Sequence, residues 1–303
     1  MKNILDAKQF NQQELNDLFS LTDHIKNHLS DYQNKLKGKV IATLFFEPST
    51  RTRLSFETAI ARLGASFINI TSPGESSTAK GESYEDTIKI VSSYSDLLVI
   101  RHPDNDAAVK AAIVSETPII NAGSGSGEHP TQTLLDLYTI KEAFGHLDNL
   151  SVAVIGDLKY GRAVHSLVNL LSIYNNITVY GLSNEDFLLP KETIAYLKER
   201  QVNYVACDSF DDIPKDVDVL YQTRKQKERF SNENLKEYSF NLDKELLSTF
   251  SEKTIVLHPL PRNEEINPDV DEDARALYFR QAKNGLYVRM ALILTVLREN
   301  GML

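Results

Sequence analysis

Short apolar runs and longer stretches with apolar residues three and four apart take turns along the whole chain. "KVIATLFF" (39–46), "SFINI" (66–70), "DLLVIRHP" (96–103) and "PIINAG" (118–123) are strand-sized and nearly continuous in apolar residues, as buried parallel strands are. Between them, residues 11–34, "RTRLSFETAIARLG" (51–64, ending on Gly64), "YEDTIKIVSSY" (84–94) and an Ala-rich stretch at 106–113 carry helical spacing. "HPTQTLLDLYTIKEAFG" (129–145) predicts a further helix, and "LSVAVIGDLKYGRAVHSLVNLL" (150–171) restarts the strand, turn and helix order. "ITVYGL", "NYVACD", "VDVLYQT" and "TIVLHPL" are later strand candidates, and "GLYVRMALILTVLREN" (285–300) predicts a largely buried final helix. The alternation predicts an α/β protein of two domains, each a parallel sheet flanked by helices. The first is expected over 1–130, with the C-terminal helix 286–303 packing back on it, and the second over 131–285.

Length agrees with the pattern, because 303 residues exceed the size at which a single core usually stops growing. A net charge of −9 argues against nonspecific nucleic-acid binding, which needs a basic face. No apolar run approaches a membrane span, and "MKNILDAKQF" lacks the apolar core of a secretory leader. The expectation is a cytoplasmic protein with neither nucleic acid nor membrane as partner. The single cysteine, Cys207, permits no intramolecular disulfide and no cysteine-based zinc site, and it reads as a small buried apolar residue.

Against this acidic background one stretch stands out. In "FEPSTRTRLSFETA" (46–59) a strand ends, Glu47 and Pro48 turn the chain, and Ser49, Thr50, Arg51 and Thr52 fall in the first turn of a helix. Free N–H groups, the positive end of the helix dipole, hydroxyls and an arginine fork together make an anion site. Capping would need one Ser or Thr, not four successive donors. Arg101 and His102 follow the strand of "VIRHP", at the edge where α/β sheets bind ligands. His129 precedes Pro130 at the next helix start, with Gln132 in its first turn; a ligand contact and a structural histidine are equally compatible with the local sequence.

Gly156 and Gly161 have P-loop spacing, yet Arg162 and Ala163 stand where Lys and Ser or Thr belong, so nucleotide binding is rejected and Arg162 kept as an anion contact. "SSTAKGES" (76–83) and "YQTRKQKER" (221–229) would alone read as solvated loops. "VLHPLPR" (256–262) is a proline-stiffened turn that presents backbone carbonyls.

Taken in order, "FFEPSTRTRLSFETAIARLGAS", "KGES", "RHP", "NAGSGSGEHPTQTLLDLYTI", "GDLKYGRAVHSL", "TRKQKERF" and "LHPLPR" resemble the catalytic chains of the aspartate carbamoyltransferases over nearly the whole length. The resemblance implies transfer of the carbamoyl group of carbamoyl phosphate to the amine of L-aspartate, giving N-carbamoyl-L-aspartate and phosphate for pyrimidine synthesis, without metal or cofactor. It implies that Ser49, Thr50, Arg51 and Thr52 hold the phosphate with Arg101, joined by Ser76 or Ser77 and Lys80 from a neighbouring subunit. Thr52, Arg101 and His129 would donate to the carbonyl oxygen, while Gln132 and the carbonyls of Pro259 and Leu260 orient the amide end. Aspartate would be held by Arg162, Arg224 and Gln226, again with Lys80, and Glu47 would pair with Arg162 or Arg229. The catalytic group is therefore Arg51, Thr52, Lys80, Arg101 and His129.

The resemblance also implies a homotrimer with shared active sites and domain closure over the substrates, and it leaves a regulatory chain open as a further partner. Ala79 stands where a second lysine can precede Lys80 in relatives, and the loop ahead of it is short, so the choice between Ser76 and Ser77 stays open. Ornithine carbamoyltransferases share the "STRTR" and "HPTQ" logic, but they carry a "HCLP" turn where this chain has "HPLP". A non-catalytic carbamoyl-phosphate-binding protein would lack a donor, whereas Thr52, Lys80, Arg101 and His129 are all in place.

Overall fold

The apolar runs become the interiors of two parallel sheets in a computed structural model of the protein, which describes residues 2–71, 81–125, 129–225 and 240–303. The chain divides into one unit of Met1–Leu135 with Lys283–Leu303 and a second of Asp136–Ala282.

In the first unit, strands β1 (Val40–Phe45), β2 (Ser66–Ile70), β3 (Leu97–His102) and β4 (Ile119–Ser124) alternate with helices α1 (Gln12–Asn27), α2 (Thr50–Arg62), α3 (Tyr84–Tyr94) and α4 (Ala107–Val114). The strand order is β2-β1-β3-β4, all parallel. Ile4 bridges to β4, with Asn121 N–H donating to Ile4 O at 2.7 Å. Ala42, Leu44, Ile88, Leu98, Ile100 and Ile119 form part of the core between sheet and helices.

Helix α5 (Pro130–Phe144) carries the chain into the second unit. There β5 (Ser151–Ile155), β6 (Thr178–Leu182), β7 (Asn203–Cys207), β8 (Val219–Gln222) and β9 (Ile255–Leu257) alternate with α6 (Arg162–Leu171), α7 (Lys191–Glu199) and α8 (Lys244–Ser248). The order is β7-β6-β5-β8-β9, again parallel. Leu182, Leu220, Val256, Ile266 and Tyr278 pack in its core with Cys207, which is buried as expected. Helix α9 (Tyr278–Glu299) returns the chain to the first unit, where Asn300 accepts the Lys2 N–H at 2.9 Å.

Two boundaries differ from the sequence pattern. Helix α1 ends at His28, whose φ of −132° leaves the helical region, whereas helical spacing predicted continuation to residue 34. A cluster replaces that last turn: Tyr32 OH meets His24 Nδ1 at 2.9 Å, and the His24 and His28 rings stack. Helix α9 begins at Tyr278 rather than Gly285. Its first turns bury Gln281 and Asn284, polar residues that mask the apolar face in the sequence. Buried amides need partners, and Gln281 finds them in His258 N–H at 2.9 Å and Asp136 at 2.6 Å.

Candidate active site

Both strand orders contain a switch point, where chain connections leave in opposite directions and open a crevice at the carboxyl ends of two neighbouring strands. In the first sheet it lies between β1 and β3. Phe45 stands in register with Arg101, and Phe46 N–H donates to Arg101 O at 2.8 Å. The stretch that follows β1 and Arg101, the penultimate residue of β3, are therefore brought to one place by the ladder.

Ser49 is the residue before helix α2, and its hydroxyl makes no capping bond. The helix start is thus not closed by the side chain of its own cap residue. Thr52 is buried, while Thr50 and Arg51 are exposed. Arg101, with a side chain 11% exposed, donates from Nε to Glu47 Oε1 at 2.7 Å. Its Nη1 reaches His129 Nε2 at 3.4 Å, and His129 is itself buried. Thr50, Arg51, Thr52, Arg101 and His129 therefore all belong to the first unit, with Arg101 fastened between Glu47 and His129. Gln132, one turn into α5, is buried and donates its N–H to the His129 carbonyl at 3.0 Å.

Glu47 Oε1 accepts from Arg101, 54 positions along the chain, a contact the sequence pattern does not announce. Asn121 also escaped the sequence reading. It is buried and accepts from Gly123 N–H at 2.8 Å and Ser124 Oγ at 3.0 Å, which shapes the loop that leads to His129. His102 is a wall rather than a donor. Its ring packs against Phe46 and Tyr84, and Nδ1 accepts the Asp104 N–H at 2.9 Å. Burial pushes its imidazole below the ordinary range, and the Asp104 and Glu47 carboxylates offset only part of that.

In the second sheet the switch point lies between β5 and β8. Arg162 opens helix α6 after β5, and Arg224 stands two residues past the end of β8. The two glycines with P-loop spacing serve this crossing instead of a phosphate. Gly156 has φ +114°, and a Cβ there would stand 2.4 Å from Thr223 O; one at Gly161 would stand 2.4 Å from Asp157 O. Only hydrogen fits where β5 and β8 converge and where the turn folds on itself. Thr223 closes the crossing by donating its N–H to Ile155 O at 2.8 Å. Arg224 Nη1 donates to Lys225 O at 3.2 Å.

Pro259 and Leu260 follow β9, half-buried, and Leu260 has φ +55°. Ser76, Ser77, Lys80, Gln226 and Arg229 lie outside the described residues. Among the described residues no group of three or more His, Cys, Asp or Glu side chains could hold a metal ion, and no helix is long and apolar enough to cross a membrane.

Each unit thus sets arginine at the switch point of its own parallel sheet, an arrangement for two anionic groups. Known proteins agree with that division. Residues 2–142 match the aspartate/ornithine carbamoyltransferase carbamoyl-P binding domain, and residues 148–296 match the Asp/Orn binding domain of the same family. The aspartate carbamoyltransferase catalytic subunit of Clostridium novyi is 47% identical over 301 residues, covering 98% of each chain. The solved catalytic subunit of the M. jannaschii aspartate transcarbamoylase superposes with a TM-score of 0.92 at 45% identity, covering 99% of each chain. An aspartate transcarbamoylase of Trypanosoma cruzi, solved in complex with carbamoyl phosphate and aspartate, gives a TM-score of 0.92 at 39% identity over 97% of this chain and 96% of its own. With both halves matched in order and the identity sustained from end to end, the chain belongs to the aspartate/ornithine carbamoyltransferase family.

Proposed function

We propose that the protein transfers the carbamoyl group of carbamoyl phosphate to the amine of L-aspartate, releasing N-carbamoyl-L-aspartate and phosphate, in pyrimidine biosynthesis. The observation that carries the reading is Arg101, held at the switch point by Glu47 at 2.7 Å and within 3.4 Å of His129, beside an uncapped helix start rich in donors. That is a preorganised set of donors for a phosphate and for an oxygen that becomes negative. Sustained identity to aspartate carbamoyltransferase catalytic subunits supports the same conclusion.

In this mechanism Ser49, Thr50, Arg51, Thr52 and Arg101 bind the phosphate, with Lys80 supplied by a neighbouring chain. The uncharged amine of aspartate attacks the carbamoyl carbon. Charge that develops on the carbonyl oxygen is met by Thr52, Arg101 and His129, while Gln132 and the Pro259 and Leu260 carbonyls orient the amide. The carbon–oxygen bond to phosphate then breaks, and the proton lost by the amine passes to the leaving phosphate. Catalysis comes from positioning and electrostatics rather than from a protein base. Arg162, Arg224 and Gln226 bind the two carboxylates of aspartate, a task for which arginine forks are suited.

The same reading makes the enzyme a cytoplasmic homotrimer with shared sites, with a regulatory chain as an open addition. Leu54 on α2 and Phe67 and Ile68 on edge strand β2 are 49%, 38% and 40% exposed in the single chain, apolar surface that favours assembly. Product formation from carbamoyl phosphate with L-aspartate, and separately with L-ornithine, tests the activity. Turnover with aspartate alone is expected. Binding of carbamoyl phosphate without turnover of either amine would refute the assignment.

A further inference from the structure

The turn after β9 is built from backbone, and a buried histidine grips it. His258 is 1% exposed, and its ring folds over the turn so that Leu260 N–H donates to Nδ1 at 2.7 Å. A backbone N–H can only donate, so Nδ1 carries a lone pair and, in the neutral ring, the proton sits on Nε2. That nitrogen faces Glu265 Oε1 at 2.8 Å, and the same oxygen accepts the Asn263 N–H at 3.1 Å. Burial alone would raise the Glu265 carboxyl, but the bonds from His258 and from backbone N–H groups outweigh it and hold the group below its ordinary range. A carboxylate is thus kept where it selects the tautomer.

The histidine is fixed from behind as well. Its own N–H donates to Gln281 Oε1 at 2.9 Å, Gln281 donates to Asp136 at 2.6 Å, and Tyr221 OH donates to the other Asp136 oxygen at 2.7 Å. All of these groups belong to the second unit.

The consequence reaches the Pro259 carbonyl, one of the two used in the proposed reaction. Leu260 N–H and Pro259 C=O share one planar peptide, so fixing the first fixes the direction of the second. Leu260 itself has φ +55°, a left-handed conformation that a residue other than glycine keeps only where its surroundings hold it. His102 in its own His-Pro pair uses the same ring-to-backbone bond, so the device is local and recurrent. At His258 it acts on the peptide whose carbonyl, that of Pro259, is assigned to the amide end.

We propose that His258 is a positioning residue for carbamoyl transfer: with its tautomer set by Glu265, it holds the Leu260 N–H and thereby fixes the direction of the Pro259 carbonyl, one of the two assigned to the amide end. This rests on the carbamoyl-transfer reading above.

Two near-isosteric variants separate positioning from space-filling. His258→Asn places Oδ1 near the Nδ1 position and keeps an acceptor for Leu260 N–H. His258→Gln keeps a donor toward Glu265 but has no acceptor near Nδ1. The expected result is kcat reduced by less than about tenfold in the Asn variant and by a further ten- to hundredfold, roughly, in the Gln variant, the loss expected for a buried donor left without its acceptor. The KM for L-aspartate should change by less than about threefold in both, because the carboxylate contacts are untouched. A Gln variant at least as active as the Asn variant overturns the proposal.

An inactive parent protein would instead refute the carbamoyl-transfer reading. If both variants are too unstable to assay, the parent itself decides by nitrogen-15 NMR. A coupling across the hydrogen bond between Leu260 N and His258 Nδ1 is expected, and a proton found on Nδ1 overturns the proposal.

Discussion

Replacing Arg101 by lysine keeps the charge and removes the fork, so it asks whether geometry or charge carries the first unit's chemistry. The arginine spends Nε on Glu47 at 2.7 Å and still directs Nη1 toward His129 at 3.4 Å. A lysine ammonium can satisfy Glu47, but it cannot at the same time offer a planar pair of N–H groups to a phosphate or to a developing oxyanion. Loss of one preorganised oxyanion donor costs about 10²–10³ in kcat, or about 3–4 kcal/mol. Stability should move far less. The Glu47 and Arg101 side chains are 20% and 11% exposed, so breaking their pair outright costs on the order of 1–3 kcal/mol before solvent screening is discounted, and lysine preserves most of it. Steady-state kinetics with both substrates, equilibrium binding of carbamoyl phosphate and thermal unfolding measure the three quantities. Expected for Arg101→Lys are the kcat loss, carbamoyl phosphate affinity within about tenfold, and near-parent unfolding. Adding Glu47→Gln and Arg101→Gln, singly and together, gives the coupling energy of the pair. A lysine variant with kcat within about threefold of the parent would show that the fork donates nothing special in the transition state.

Four further outcomes follow from the geometry. Gly156→Ala puts a Cβ 2.4 Å from Thr223 O at φ +114°, so it should lower unfolding stability by more than about 2 kcal/mol; an unchanged urea midpoint would contradict the close crossing of β5 and β8. Arg162→Leu and Arg224→Leu should each raise the KM for L-aspartate by about ten- to hundredfold, the value of a charge-assisted contact, with little change in carbamoyl phosphate affinity by direct binding. Burial holds the His102 imidazole below its ordinary value of 6.5, so the unfolded chain takes up the proton first; stability is full above that value and declines as pH falls below it. His102→Asn, which keeps an acceptor for Asp104 N–H, should flatten that decline in a thermal-unfolding series. Lys80→Ala and Arg51→Ala chains, each inactive alone, should recover part of their activity when reassembled together, and verified mixed trimers without recovery would exclude a shared site.

The alternation of strands and helices was legible because each buried parallel strand is a continuous apolar run, and "VIATLF" in β1 needs no distant partner to be recognised. The helix start at residues 49–52 was legible for a related reason, since its run of hydroxyl and guanidinium donors lies consecutively in one turn. What escaped depends on residues far apart in the chain. Glu47 meets Arg101 across 54 positions, Tyr221 meets Asp136 across 85, and Gln281 meets Asp136 across 145. Periodicity reports which face is buried, and it carries no information on which polar groups are buried together. Gln281 and Asn284 even erased the apolar signal at the start of α9. "HPLPR" showed a stiff turn with carbonyls to offer, whereas the bond from Leu260 N–H to the His258 ring depends on a left-handed φ that no residue type there announces.

The doubly used switch point also explains where specificity must reside. In a parallel sheet the helices that follow the strands begin at the same edge, so each crevice there receives helix N-termini, and arginine added at that edge gives an anion site even in a chain of net charge −9. The family's first domain is the carbamoyl-P binding one and its second the Asp/Orn binding one. A shared first substrate leaves the β1–β3 crevice no reason to vary between enzymes that carbamoylate aspartate and those that carbamoylate ornithine. The charge of the amine substrate changes sign at the side chain, so discrimination falls to the groups after β5 and β8. Under the proposed function those groups include Arg162 and Arg224, which would attract a second carboxylate and repel an ammonium. Loss of either arginine should therefore weaken aspartate without conferring ornithine, because removing an attraction for one ion does not build the acidic partner that the other requires.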